Sequence, residues 1–587
     1  MAKKQKLELT WIGKENRPKL EPRILLEDTT MSYHAPHKVT EDDLFDNRLI
    51  FGDNLLALRA LEQEFTGKIK CIYIDPPFNI DAAGVPYEDN IENSLWLSLM
   101  RSRLEILHRL MTRDGLIFVH IDDEMLHYLA VLMDEIFSKS NRINIIAVKM
   151  SEASGVKMSH ADKRLPKLKE YILVYKKELT PTITIEKIPT GEWNEEYKTL
   201  LVDISKEDIS ELKDIISKEK CDEGDVAECL RILKKARTIS LSKFFKDNDI
   251  KEKEQNAWKF DNAWRIIQAV GSSSVLNLAK RQPKQDQEIA AALSATGLIY
   301  LYKTDVDPEA KQPRVQVIFA DDNLLQNPGD FWSDIKTTGG VGQEGGVLFP
   351  NSKKPEALLK RIIGMCTQPG DIVLDSFAGS GTTGAVAHKM KRRWIMVELM
   401  EHCHTHVIPR LKSVIDGTDA SGITKAVDWR AGGGFRYYYL APSLLQKDKW
   451  DNWVISTEYN AAMLSEAMCK LMGFTYQPNS EHYWIHGHSS ESDFIYVTTA
   501  VLTHDQLKVI SEEVGKNRTL LICCKAFKAN QDAFENLTIR KIPAAVLVKC
   551  EWGKDDYSLN VANLQPKPEP ENKGNGTPSL FDTMQEG

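Results

Sequence analysis

From Leu49 onward the chain alternates between two hydrophobic periods. Leu49-Ile50-Phe51 is a short apolar run broken by Gly52-Asp53-Asn54, after which Leu55, Leu58 and Leu61 recur at helical spacing. Lys68–Ile74 is a second short run, rich in β-branched residues, and it stops at Pro76 and Pro77. Asn93–Met111 is strongly apolar with basic residues interspersed, which predicts a helix covering one side of a sheet. Asp114-Gly115 predicts a turn into a buried strand, Leu116–Ile121, and Met125–Phe137 has helical periodicity. Strand and helix in repeated alternation imply a parallel sheet with both faces covered.

The pattern breaks near residue 145. Lys149–Lys169 is rich in Lys, Ser, Gly and His, Tyr171–Tyr175 follows as a strand, and residues 197–245 are dense in Lys, Glu and Asp with short helical patterns. The alternation returns with a helix over Lys354–Met365, a strand over Asp371–Asp375, a glycine-rich turn, a helix over Thr382–Met390 and a strand over Trp394–Val397 that ends at Glu398. The predicted organisation is an N-terminal arm (1–45), one part of an α/β domain (46–144), an inserted domain (145–335) and the second part of the α/β domain (336–440). A C-terminal α/β domain suited to dimerisation or partner binding (441–564) and a tail (565–587) too polar to order itself complete the chain. The predicted fold class is therefore α/β, a doubly wound, mostly parallel, Rossmann-like sheet interrupted by the insert.

Composition narrows the function only a little. At 587 residues the chain exceeds a single core, and its 42% hydrophobic and 27% charged residues are ordinary for a soluble globular protein. A net charge of −8 argues against coating a polyanion with the whole surface, but not against a local basic face. No apolar run suits a signal peptide or a bilayer span, so a cytosolic protein without membrane contact is expected. The nine cysteines lie mostly in apolar segments and read as buried thiols in a reducing compartment. In Glu401–His406 only His402 and His406 have the spacing to share a helix face, and no second ligand pair stands nearby. Histidines at the end of a core helix, without metal, are the expectation.

Two motifs carry chemistry. Asp375-Ser376-Phe377-Ala378-Gly379-Ser380-Gly381 lies between a predicted strand and the helix that begins at Thr382. Glycines let such a turn approach a ligand closely, and the helix start offers unpaired N–H groups. No Lys-Ser/Thr pair follows, which disfavours a nucleotide triphosphate. Glu398, ending the next strand, can accept both hydroxyls of a ribose, so the ligand is adenosine-containing: a dinucleotide or S-adenosyl-L-methionine. Asp75-Pro76-Pro77-Phe78 decides between them. The exocyclic amine of a base is a poor nucleophile, and it needs acceptors that draw on its hydrogens as it attacks. Asp75 is one such acceptor and the Pro76 carbonyl a second, while Phe78 offers a face on which an extruded base stacks. Both loops would leave the carboxyl edge of one sheet and meet at a switch point. A carbon-directed methyltransferase would need a nucleophilic cysteine beside a proline, and the chain has none. Cys71, inside an apolar strand, is assigned to packing.

With these motifs in place the chain resembles the modification subunits of Type III restriction–modification systems, adenine methyltransferases of the beta arrangement. Leu9–Asp28, Phe51-Gly52-Asp53-Asn54-Leu55, Tyr73–Asn79, Phe349–Pro355, Asp375–Thr383 and Gly432–Tyr437 carry the resemblance, which spans roughly residues 9–440. The resemblance implies adenine N6 in double-stranded DNA as the acceptor, and cofactor contacts from the glycine loop and from Lys354 and Pro355. It also implies a homodimer, a separate helicase–nuclease subunit as partner, and a target-recognition role for the insert. This chain has Phe78 where Tyr is common; stacking survives without the hydroxyl.

Other residues have two readings each. Asp53 either faces the cofactor's adenine or caps the helix that follows it. Lys149, Lys157, Lys163, Arg164, Lys167 and Lys169 form a basic stretch that contacts DNA phosphates or stays a solvated face. Trp258, Trp264 and Arg265 wedge into bases or form a helical core stripe. Cytosine N4 as acceptor, a catalytically silent recognition subunit of a nuclease complex, and a small-molecule or protein methyltransferase are the rival functions. Asp75 itself disfavours the first, because Ser-Pro-Pro is more usual for cytosine. Asp75 and intact glycines disfavour the second, and the third leaves the insert without a task.

Overall fold

Eight strands form the centre of the larger of two compact units. They are β1 (Asn47–Phe51), β2 (Ile69–Ile74), β3 (Met111–Ile121), β4 (Arg142–Lys149), β5 (Lys169–Lys176), β6 (Ile372–Asp375), β7 (Arg393–Glu398) and β8 (Gly434–Leu440). Their spatial order is β8-β1-β7-β6-β2-β3-β5-β4, with short strands Leu25–Glu27 and Phe331–Trp332 at the two edges. The six from β8 to β3 run parallel, and β5 is antiparallel to both β3 and β4. The computed structural model describes residues 8–77, 93–151, 165, 167–306, 313–337, 340–349, 353–530, 533–542, 547 and 549–557.

The period of two along each strand decides which helices cover which face. Ile72 and Ile74 point into one core with α1 (Asn54–Phe65), α2 (Asn93–Leu110) and α3 (Leu126–Met133). Cys71 and Tyr73 point into the opposite core with α4 (Glu356–Cys366), α5 (Thr382–Lys389) and α6 (Ile408–Ile415). Each fully buried aliphatic side chain contributes roughly 1.5–3 kcal/mol, so a one-residue slip of β2 would be costly on both faces. The predicted doubly wound, mostly parallel α/β fold is the one observed. Cys71 is a packing residue, fully buried between sheet and helices.

Chain order now has a consequence. β2 leads through α2 to β3 on one side, whereas β6 leads through α5 to β7 on the other. The winding direction therefore reverses between the adjacent strands β6 and β2, and a crevice opens at their carboxyl ends.

The second unit is Ile185–Gly329, narrower than the expected insert of 145–335. The difference arises because β4 and β5 complete the main sheet; their edge position leaves Ile143 exposed, and charged flanks obscure the strand pattern. The unit has its own antiparallel six-stranded sheet, ordered Arg237–Ser240, Thr199–Val202, Ile266–Gly271, Arg314–Phe319, Ile299–Lys303, Ile289–Leu293. Helices Lys206–Ile216 and Glu223–Leu233 start at capping boxes, Ser205 with Asp208 and Asp222 with Asp225, and bury Ile209, Leu212, Val226 and Ile232 against one face.

In the larger unit the N-terminal arm is anchored along α2: Trp11 donates to Ser98 (2.7 Å) and Arg17 to Glu105 (3.0 Å). The C-terminal region builds a separate five-stranded sheet in which Asp493–Thr503, Thr519–Lys528 and Leu537–Lys541 run parallel. The 565–587 tail lies outside the described residues. Among the described residues no helix is long and apolar enough to cross a membrane, and no group of His, Cys, Asp and Glu could hold a metal ion.

Candidate active site

The loops after β1, β2, β6 and β7 gather at the carboxyl edge of the sheet, and hydrogen bonds between them fix the crevice. Glu398, at the end of β7, accepts Gly379 N–H at 2.7 Å through Oε2, and Leu399 and Met400 N–H at 2.9 and 3.0 Å through Oε1. His402 Nε2 lies 3.1 Å from the same Oε1. Asn54, which begins α1, donates to the Ser376 carbonyl at 2.7 Å. Gly379 and Gly381 have φ of +54° and +75°, the left-handed region that a side chain rarely adopts. A Cβ at Gly381 would also stand 3.0 Å from Val407.

Behind the glycine loop lies a buried ion cluster. Arg410 donates to the Ser380 carbonyl (3.2 Å), the Thr382 hydroxyl (2.7 Å) and Glu356 (2.8 Å). Lys389 joins Glu356 at 2.8 Å to Asp419 at 2.6 Å. Phe377 packs on the core under α1 and Ala378 on the opposite one, so the loop is clamped from both sides. Arg410, Glu356 and Lys389 are scattered over some fifty residues of sequence with no shared motif, and nothing in the sequence alone points to them.

Asp75 follows β2 directly and faces this loop. Its Oδ2 lies 2.9 Å from Lys354 Nζ, whereas its Oδ1 is buried and has no hydrogen-bond partner among the described residues. Trp96 of α2 donates its indole N–H to the Pro77 carbonyl at 2.9 Å, pinning the turn one residue beyond the carbonyl expected to act as second acceptor, that of Pro76. Phe78 lies outside the described residues. Pro355 caps α4, and Lys354 before it turns its ammonium toward Asp75.

The site is acidic. Burial pushes the Asp375 carboxyl up to about 7; Thr383 and the Phe377 N–H oppose this, and the nearby charges of Asp75 and Glu398 add to it. Ser376 Oγ is a second buried polar atom without a partner among the described residues. A ligand that brings positive charge and hydrogen-bonding groups fits this edge; one that brings a pyrophosphate does not.

Asp53 caps α1, accepting Leu55 and Leu56 N–H at 2.9 and 3.1 Å, and its other oxygen accepts the Tyr557 N–H at 2.9 Å. Lys167 pairs with Asp122, Asp123 and Glu124, so its charge is already matched within the protein. Lys169 lies over the Tyr171 ring and the Lys149 carbonyl accepts from Thr337, both on the sheet edge. Lys157, Lys163 and Arg164 lie outside the described residues. Trp258 and Trp264 pack in the core of the inserted unit, and Arg265 lies against both rings, the core-stripe arrangement. That unit also holds a cleft of about 620 Å³ lined by Trp193, Tyr197, Gln268 and Asn323.

The fold and the edge define a class: a doubly wound α/β domain that sets the Asp75 carboxylate against a glycine-rich loop at the carboxyl edge of its sheet. The family model for DNA methylase, of the N6/N4 type, matches residues 69–223 and 220–408, more than half of the chain, and the chain belongs to that family. The resemblance to Type III modification subunits is borne out. The probable type III restriction-modification enzyme HindVI Mod subunit of Haemophilus influenzae is 36% identical over 413 residues, 68% of this chain and 54% of that protein. The chain thus spans about half the length of that relative. The EcoP15I Mod subunit of Escherichia coli is 25% identical over 517 residues, 76% of this chain and 73% of that protein. The Type II methyltransferase M.EcaI of Enterobacter cloacae is 27% identical over 372 residues, 60% of this chain and 67% of that protein.

Proposed function

We propose that the chain is a site-specific DNA methyltransferase that moves a methyl group from S-adenosyl-L-methionine to adenine N6 in double-stranded DNA. We further propose that it is the modification and recognition subunit of a Type III restriction–modification system, working as a homodimer beside a helicase–nuclease partner. The observation that carries the reading is the placing of Asp75 and Asp375 at the carboxyl ends of two adjacent strands at the switch point, near enough for their charges to interact, with Asp75 Oδ1 buried and unclaimed among the described residues.

Gly379, Gly381, Ser376, Asp375 and Glu398 would hold the cofactor. Its sulfonium, when bound, supplies a methyl group on a leaving group that departs as a neutral thioether. The acidity of the site favours that cation over a dinucleotide. Asp75 accepts an N–H of the base amine and takes up the proton that nitrogen releases when it is alkylated. No covalent enzyme intermediate is needed, so catalysis is placement and electrostatics. An adenine inside a duplex cannot reach this edge, and the base must be extruded. Adenine is favoured over cytosine by Asp75 itself. The Type III role is supported by the likeness to proteins bearing that name. Target recognition falls to Ile185–Gly329, and Lys149 and Lys169 of the larger unit serve as phosphate contacts.

The decisive experiment is modification-sensitive long-read sequencing of DNA from a host with and without the gene. The expected result is N6-methyladenine at one short motif, present only with the gene. N4-methylcytosine would move the acceptor, and unmodified DNA from a host making folded protein would overturn the reading.

A further inference from the structure

A chain of buried polar groups stands behind Asp75. Lys354, 7% exposed at its side chain, lies 2.9 Å from Asp75 Oδ2 and 3.4 Å from Glu170 Oε2. Glu170 Oε2 is in turn 2.8 Å from His120 Nε2, and His120 Nδ1 is 3.0 Å from the Tyr73 hydroxyl. The Tyr73 hydroxyl and His120 Nδ1 share a hydrogen bond whose direction is set by the ring tautomer. The residues come from β2 and the turn after it, β3, β5 and the segment before α4. An ammonium buried this deeply is tolerated only when paired, and here two carboxylates share it.

The arrangement is asymmetric, and that is informative. Only one oxygen of Asp75 is taken; the other is buried with no partner among the described residues. An unsatisfied buried acceptor is costly, and a ligand's N–H would remove that cost. An orphan oxygen held in a fixed direction is what a site needs if a ligand's N–H is to complete it. We propose that Lys354, braced by Glu170 and His120, is the positioning residue for Asp75: it takes Oδ2, fixes the direction of the carboxylate, and so reserves Oδ1 for the acceptor amine. This inference rests on the methyl-transfer reading above.

The groups facing Asp75 are Lys354 from the segment before α4, Asp375 from β6 and Tyr73 from β2, with Glu170 and His120 one step back. Burial works against the charge on Glu170, but His120 and Lys354 outweigh it and hold the carboxyl down at about 2. Burial likewise opposes the charge on Lys354, and Asp75 and Glu170 raise it. Lys354 therefore stays charged throughout the neutral range. Without it the Asp75 carboxylate would face Glu170 and Asp375 with no counter-ion beside Oδ2.

The test measures transfer of labelled methyl from S-adenosylmethionine to whole-genome-amplified DNA, which carries every site unmodified, together with cofactor affinity by calorimetry. Wild-type transfer establishes the parent reading; absence of transfer and of cofactor binding would sink that reading rather than this one. Given transfer, K354M should lose about 100-fold in kcat and keep its cofactor Kd within about threefold. K354R, which restores a cation beside Oδ2, should recover about tenfold of the loss. If kcat at saturating cofactor is kept while Kd rises, Lys354 is a cofactor ligand and the inference falls. Should K354M fail to fold, E170Q decides: it leaves the ammonium but loosens its brace, so about a tenfold loss in kcat at unchanged Kd supports the inference, and wild-type kcat overturns it.

Discussion

At the carboxyl edge of the main sheet, polar groups are buried and tied to one another. Arg410, Lys389, Glu356 and Asp419 are almost fully shielded from solvent, Glu398 accepts three backbone N–H groups, and Asn54 holds the Ser376 carbonyl. In the inserted unit the cores are apolar and the charges sit outside: Lys213 reaches Asp321 and Asp322, and Lys218 reaches Asp225, across partly or fully exposed surface. Methyl transfer requires reacting atoms held to a fraction of an ångström, and buried multidentate pairs provide that rigidity at a desolvation cost. The recognition role proposed for the inserted unit asks for a stable scaffold with replaceable outer residues, and an apolar core with solvated charges suits it.

Four measurements would break or sharpen this contrast, beginning with the largest expected effect. Asp75→Ala should lower methyl transfer by about a thousandfold or more while leaving cofactor affinity within a few-fold, because the amine loses its acceptor and the glycine loop is untouched. A parallel loss of cofactor binding would show that the two loops do not divide the work in this way. Next, Arg410→Met leaves Glu356 buried with a smaller counter-charge and frees the Ser380 carbonyl. A loss of about 3–5 kcal/mol in denaturant unfolding is expected; a loss below about 1 kcal/mol would mean that the cluster does not hold the edge.

The third measurement uses pH. Asp375 sits at about 7 because burial and its acidic neighbours favour the neutral acid. A carboxyl raised on folding contributes stability below its ordinary range and loses it as pH rises through about 7. Binding of a cation runs the other way, since only the ionised form attracts it. Cofactor affinity should therefore rise by about tenfold between pH 6 and 8, and Asp375→Asn should flatten the dependence. The smallest effect belongs to the inserted unit: Lys213→Ala should cost about 0–1 kcal/mol, since its pairs with Asp321 and Asp322 are half in solvent. A cost like that of Arg410→Met would erase the distinction between the two regions.

How much of this was legible in the chain depends on the range of the interactions. The strands at Lys68–Ile74 and Asp371–Asp375 announce themselves because a sheet buried on both faces needs uninterrupted apolar runs, and the glycine loop because φ of +54° and +75° favours glycine there. Asp75 was legible from its place before two prolines. Strand Arg142–Lys149 was hidden, since an edge strand half in solvent has no such run. Asp53 had two readings, and local sequence supports the cap; that its second oxygen meets the Tyr557 N–H, some five hundred residues on, belongs to long-range packing.

The sequence by itself therefore determined the fold class, the two motif loops and the family, because each depends on backbone period, local conformational freedom or a contiguous residue pattern. Only the tertiary structure decided what stands behind those loops. It brings Lys354, Glu170 and His120 to Asp75, and Arg410 and Glu356 to the glycine loop, from segments whose spacing carries no signal. The physical reason is that buried charge is matched by whichever partner the packed sheet places within about 3 Å, and packing, not sequence neighbourhood, chooses that partner.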